Sequence, residues 1–549
     1  MDNRVVQLKA AVISLLLMLV FFLNPFGLRS ASEKYNEDLI IGFNAPLFPL
    51  EAQAQLAVVL LDEAFIRHYA GRYPVDYSSL NQLLIRIAHY QPKAVFFDIL
   101  QYYPSSNYQS LWTERLRKSN QKFPVFMASI PHMDRSEYFQ KDSGLRQSIS
   151  AASQLSAVGW SDYQHYYPLN FQLDGKAYRS AAMDLYRIWC LSEPSVCPYS
   201  DEDLVESGRF TAPMIVQWSN QAAENQSDFA YLPEGVQCQP RTLKAEQSTL
   251  IRLYRRLQSL RDNFLALFHS GLSGEALKKS VAYPCPQVLT ISATKFFQDD
   301  QAAKLRRLQQ RLVLVGYGIE GSPDLVESPV NGSLAGVFLH AVALDNLINF
   351  GENYWHVPAT IDGLGINVSD LIEGILQTIF LYAALYYRFH YLENSALNAV
   401  AKPHQHHWKG LIMALLAILL TFLCVLSAYQ YLKYGPVNWY AFILILLTII
   451  PTFLHQLFAQ LMAFYSNQLT LFKCELLHMF YSPLSRMAKL TCCWSLIKNN
   501  KLILLALLGL AWLTGLVLTH WFYYAAVFLL SLLALIGFHD LVSRLMKGK

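Results

Sequence analysis

Acidic residues close two uninterrupted apolar runs, and that position gives them chemical interest. Leu56-Ala57-Val58-Val59-Leu60-Leu61 runs into Asp62 and Glu63, and Ala94-Val95-Phe96-Phe97 runs into Asp98. A carboxylate at the carboxyl end of a buried strand is placed either to bind a cation or polar ligand, or to cap the next helix. Asp324 and His340 are candidates to join the same edge. Read functionally, Asp62, Glu63, Asp98, Asp324 and His340 form a ligand site. Read plainly, the acids cap helices and satisfy loop amides, and His340 is a hydrogen-bonding histidine on the closing helix.

Cys190, Cys197, Cys238 and Cys285 lie in the same central region, and an even number of cysteines can form disulfides if that region is exported, as the spans described below predict. Proximity favours pairing Cys190 with Cys197 and Cys238 with Cys285, although two other connectivities remain open. No CxxC or paired histidine accompanies them, so no metal is expected there. His404, His406 and His407 form a short cluster, better read as a solvated loop than as a pH or metal site. No GxSxG, P-loop or HExxH occurs, so neither catalysis nor a cofactor is expected.

The elements that must position these residues follow from hydrophobic pattern. A run that is apolar without alternation suits a strand buried on both faces, which is the habit of parallel sheets. Between the two runs, Leu80, Leu83, Leu84, Ile87 and Ala88 recur at helical spacing, Ser78 or Ser79 offers a cap, and Pro92 stops the helix. Strand, helix, strand is therefore expected, with further strands at Val125–Ile130, Val288–Ile291 and Leu312–Val315 and an amphipathic helix at Val337–Ile348. The predicted fold of residues 29–358 is α/β with a mostly parallel sheet.

With 53% hydrophobic and only 15% charged residues in 549, this is not the composition of an ordinary soluble protein. A net charge of +4 gives no reason to expect nucleic acid. The apolar excess is concentrated near the two ends. Ala10–Leu23 follows the basic pair Arg4 and Lys9, which suits an uncleaved anchor over residues 1–28, with a cleaved signal peptide as the alternative. Further spans are predicted at 366–387, 410–432, 437–463, 502–519 and 521–538, giving an α-helical bundle of six spans in all. Basic residues gather in 388–409, in the interfacial segment 464–501 and in the tail 539–549. The positive-inside bias thus puts both termini in the cytoplasm and residues 29–358 outside. Asp370 and Glu373 open the 366–387 span, and His455 and Gln456 follow Pro451 within 437–463 as intramembrane polar groups, where interhelical hydrogen bonding is the plain role.

Two blocks carry a family resemblance. Val58–Tyr73, "VVLLDEAFIRHYAGRY", with Pro92–Leu100, "PKAVFFDIL", resembles the opening of the CHASE-type-two extracellular sensory domain of bacterial signalling receptors. Arg311–Gly316, "RLVLVG", then Ser322-Pro323-Asp324, Pro329 and Gly336–Leu347, "GVFLHAVALDNL", resemble that family's closing strand, loop and helix. The likeness covers Leu39–Phe350 at its ends. Cys190–Ser280 matches poorly and reads as an insertion near 190–285, and Asp174-Gly175 with Arg179 only weakly echo the middle motif.

The resemblance implies a sensory or receptor subunit of the bacterial inner membrane that detects a periplasmic ligand or envelope protein. Family members usually carry a cyclase or kinase domain after the bundle, whereas this sequence runs to Lys549 with only basic loops and a tail there. The implied partners are the lipid bilayer and a separate cytoplasmic or membrane effector, with oligomerisation left open. A structural or accessory subunit of an envelope assembly is the alternative, and a transporter or channel component the second.

Overall fold

A computed structural model describes residues 3–23, then 37–223 and 287–386 with short breaks, and Lys433. The chain divides into two compact units, one of Met1–Phe26, Gly374–Leu423 and Trp439–Lys549, the other of Gly27–Glu373 with Cys424–Asn438.

The second unit is built on the expected βαβ pattern. Helix α1 (Asn3–Leu23) belongs to the first unit, and the sheet begins with β1 (Leu56–Asp62). Helix α2 (Tyr77–His89) leads to β2 (Ala94–Asp98), α3 (Gln109–Asn120) to β3 (Val125–Ser129), and α4 (Gly144–Ala152) to β4 (Gln154–Ala157). A hairpin of β5 (Asn170–Leu173) and β6 (Lys176–Arg179) precedes α5 (Ala181–Ser192). After the stretch in which 224–286 are not described come β7 (Thr290–Ser292) and β8 (Leu312–Gly318), the hairpin β9 (Leu325–Ser328) and β10 (Gly332–Ala335), and α6 (Val337–Phe350).

Six strands form one sheet in the order β4-β3-β2-β8-β1-β7, and every adjacent pair is parallel. Strand β8, late in the chain, inserts between β1 and β2. Its register matches Leu60 and Asp98 to the same residue, Gly316. Both faces of the sheet are covered, which is why its strands are apolar without alternation. Leu56, Val58, Leu60, Phe96 and Leu314 pack on one side with α5 and α6, and Ala57, Val59, Leu61, Phe97 and Val315 pack on the other with α2 and α3. The strand and helix assignments therefore hold, but α6 is buried from Val337 to Leu347 on nearly every side and is not amphipathic, because it lies between the sheet and α5. The cap of α2 is Asp76, whose Oδ1 accepts from the Ser79 N–H at 2.7 Å, and neither Ser78 nor Ser79. Asp76 wins because an extended residue just before the first turn can aim a carboxylate at the free amides, while the serines already lie inside the helix.

Cys190 and Cys197 form a disulfide closing the end of α5. Cys238 and Cys285, His455 and Gln456, and the histidines at 404, 406 and 407 lie outside the described residues, as do Asp370 and Glu373.

Among the described residues no helix is long and apolar enough to cross a membrane. In α1 the polar Asn3, Arg4, Gln7 and Lys9 occupy the first two turns and leave Ala10–Leu23 as the uncharged part, about 21 Å at the helical rise. Val6 and Ala10 pack on Leu381 and Leu385, while Leu8, Val12, Leu15, Leu16 and Leu19 are exposed. The expected 366–387 span opens with Ile366–Asn367 in a strand paired antiparallel to Thr360–Ile361, and helical backbone is described from Leu371 on. The spans expected at 410–432, 437–463, 502–519 and 521–538 lie outside the described residues. The six-span bundle accordingly remains an expectation.

Candidate functional site

The carboxyl edge of a parallel sheet is where strand ends, loops and helix N-termini converge, and a reversal of strand order opens a crevice there. In this sheet the reversal lies around β8, with β2, β3 and β4 running to one side and β1 and β7 to the other. Asp98 ends β2 on the same face as Phe96, two residues earlier, and so points toward α6.

Two glycines bring α6 against this edge. A Cβ at Gly316 would sit 2.5 Å from Val337 Cβ, so only glycine lets the first turn of α6 rest on the end of β8. A Cβ at Gly336, just before α6, would fall 2.0 Å from Asp324 Oδ1. The Asp324 carboxylate thus lies over the start of the helix, where the dipole favours negative charge, and its backbone carbonyl accepts the Gly336 N–H at 3.0 Å.

One turn into α6, His340 is buried with its Nε2 3.8 Å from Asp98 Oδ2. That separation is beyond a hydrogen bond, and Asp98 Oδ2 is a buried oxygen with no hydrogen-bond partner. His340 Nδ1 meets Tyr167 Oη at 2.7 Å, and the same hydroxyl accepts the Ala182 N–H at 3.1 Å. The Tyr167 hydroxyl thus ties His340 to the start of α5; when it donates to Nδ1, the ring proton lies on Nε2, on the side of Asp98.

Burial sets the charge states. Desolvation, and then the charge of Asp324, hold the Asp98 carboxyl well above its usual range. Desolvation also raises Asp324, and it pushes His340 down to about 3, so the imidazole is neutral. The arrangement is a pair of acids that resist ionising together, faced by a neutral imidazole. It can hold and release a proton, or satisfy one polar group brought to Asp98. Among the described residues no group of three or more His, Cys, Asp or Glu is placed to hold a metal.

Of the five candidate residues, Asp98, Asp324 and His340 come together, whereas Asp62 and Glu63 do not. Strand β8 separates Asp62 from Asp98. Asp62 Oδ1 accepts the Phe65 N–H at 2.7 Å, the capping role, and its carboxylate also bonds Ser292 on β7. Glu63 is half exposed and pairs with Arg67 at 3.5 Å. Tyr167 was not singled out by the sequence, because a tyrosine just before a short hairpin has no periodicity or motif to mark it. Arg179 does not reach the edge: its Nε donates to buried Asp184 at 2.7 Å, and the Ser156 hydroxyl donates to the other oxygen at 2.6 Å.

Comparison with known families matches residues 12–369 to the CHASE2 domain. Neither the curated proteins nor the solved structures gave a match.

Proposed function

Since the chain belongs to the CHASE2 domain family, we propose that it is a membrane-bound sensory subunit whose exported α/β unit detects a ligand or protein in the periplasm and passes its state to an effector protein. The family match carries the sensory part of this reading.

Transmission is supported by helix α6, which has the acid site at its first turn and an aromatic relay at its last. Phe350 meets the Trp355 ring edge-on at 4.9 Å, and the Lys433 ammonium stands over that same Trp355 ring, 3.8 Å from its centroid. The Lys433 carbonyl accepts the His356 N–H at 3.0 Å. Lys433 comes from the segment between two expected spans, so a shift of α6 would be felt there. The membrane part of the reading is supported by α1, which is apolar on its packed face and on its exposed face alike, the pattern that lipid solvates and water does not. Detection at the carboxyl edge would work through Asp98, whose unpartnered oxygen makes the closed state costly and gives a ligand donor something to satisfy. No step in this reading is catalytic.

Purification of the tagged full chain from gently solubilised inner membranes tests it. A kinase or cyclase that co-purifies, and is lost on Trp355→Ala, is the expected result. Recovery of envelope structural proteins alone would replace it with the accessory-subunit reading.

A further inference from the structure

The outer face of α2 carries a feature that the sensory reading does not use. Its inner face, with Leu80, Leu83, Leu84 and Ile87, is buried on the sheet, whereas Gln82, Ile85, Arg86 and His89 recur at intervals of three and four along the outside. With Tyr90 and Phe296 these residues line an open cavity of about 490 Å³. That is within the usual size of small-molecule sites.

Arg86 is held before any ligand arrives. Its Nη1 donates to the Phe296 carbonyl at 2.9 Å, and its guanidinium lies over the Phe297 ring at 4.5 Å. The Phe297 ring is itself stacked on Tyr69 at 4.6 Å and packed on Phe65. A surface arginine ordinarily loses rotamer freedom when it grips an anion; here much of that loss is already met by folding. Yet no carboxylate pairs with Arg86, and Gln82, His89 and the Tyr90 hydroxyl make no side-chain hydrogen bond among the described residues. His89 stands edge-on to Tyr90 at 5.2 Å and Tyr90 edge-on to Phe296 at 6.2 Å, which gives the cavity an aromatic wall. The charges acting on the Tyr90 phenol are those of Arg86 and Arg306, both cations.

We propose that this cavity, built by the outer stripe of α2 and the Phe296 turn, binds a small organic carboxylate with a flat apolar body. The carboxylate meets the free edge of Arg86 with His89 and Gln82 beside it, and the apolar body lies against Tyr90, Phe296 and Ile85. The site shares no residue with the Asp98 edge and rests on the sensory reading only for its biological use, because binding is measured without any effector.

The test uses the full chain in detergent and ligand-observed saturation-transfer NMR, with benzoate as probe and benzamide as its uncharged counterpart. Benzoate is expected to bind saturably and benzamide at least about ten-fold more weakly, since a charge-assisted pair is the stronger one. Arg86→Gln should weaken benzoate by about ten-fold or more, and Arg86→Lys by less. His89→Ala leaves the Phe296 contact intact and should weaken benzoate a few-fold, so the proposal does not depend on the folding of the Arg86 variants. Equal binding of benzoate and benzamide, no saturable binding, or benzoate affinity unchanged in both Arg86→Gln and His89→Ala would overturn it. A missing effector in the co-purification would leave these binding results untouched.

Discussion

Asp98 and Asp345 are both carboxyl groups enclosed by protein, and they make opposite use of their surroundings. Asp345, within α6, accepts from Gln287 and from Asn349, yet burial still pushes it up to about 7. Asp98 has no such donors, and its rise comes from burial and the neighbouring Asp324 charge. For each, the folded-state value lies above the ordinary carboxyl value of 3.8, so the folded protein holds the proton longer than the unfolded chain. The stability they contribute is complete below that value and is lost as pH rises through the folded value. For Asp345 the window runs from about 4 to about 7. Asp345→Asn should therefore flatten the fall of the unfolding midpoint across that interval, even if the amide, facing two donors, lowers the midpoint overall; an unchanged slope would contradict the assignment. Asp98→Asn removes a charge without removing a hydrogen bond from Oδ2. Its thermal midpoint should match the parent near pH 4 and exceed it near pH 9, and a loss of stability at both pH values would show that Asp98 is paired after all.

At the scale of elements, the close approach of α6 to β8 rests on Gly316. A methyl group there meets Val337 Cβ, an atom fixed to the backbone that cannot swing aside. Gly316→Ala should cost about 1–3 kcal/mol in chemical denaturation, and Val337→Ala should not rescue it because the offending Cβ remains. Full stability of the Gly316 variant would mean that the helix can slide without penalty. The same region shows what the sequence could and could not disclose. The strands were legible because burial on both faces forces an unbroken apolar run, as in Val58–Leu61 and Val95–Phe97. Their lateral order was not, because nothing in either run says that β8, encoded far downstream, will part them. For this reason Asp62 and Asp98 look equivalent in sequence and have different jobs in the fold. The cap of α2 was misread because Asp76, Ser78 and Ser79 are all capping types within four positions, and only the backbone angle at Asp76, φ −75 and ψ 161, selects among them.

For the whole molecule, the position of Lys433 constrains how the chain is threaded. Gly27–Glu373 and Cys424–Asn438 belong to one compact unit, and the residues between them to the other. The cation at Lys433 is held on Trp355 and its backbone on His356, so this segment returns to the α/β unit after leaving it. A chain that leaves an exported unit and comes back must cross a membrane an even number of times in between. The two crossings expected from sequence at 366–387 and 410–432 would satisfy that parity and would place 388–409 on the opposite side, as the basic residues Arg388, Lys402 and Lys409 suggest. In spheroplasts, an impermeant maleimide should label a single cysteine introduced at Lys433 and should not label one introduced at Asn394 until the membrane is opened. If both label from outside, the intervening segment never crosses; if neither does, the α/β unit is not exported. The first result would also remove the physical basis for signalling through Lys433 by way of 366–432, because the chain between the α/β unit and Lys433 would then hold no span to carry a shift across.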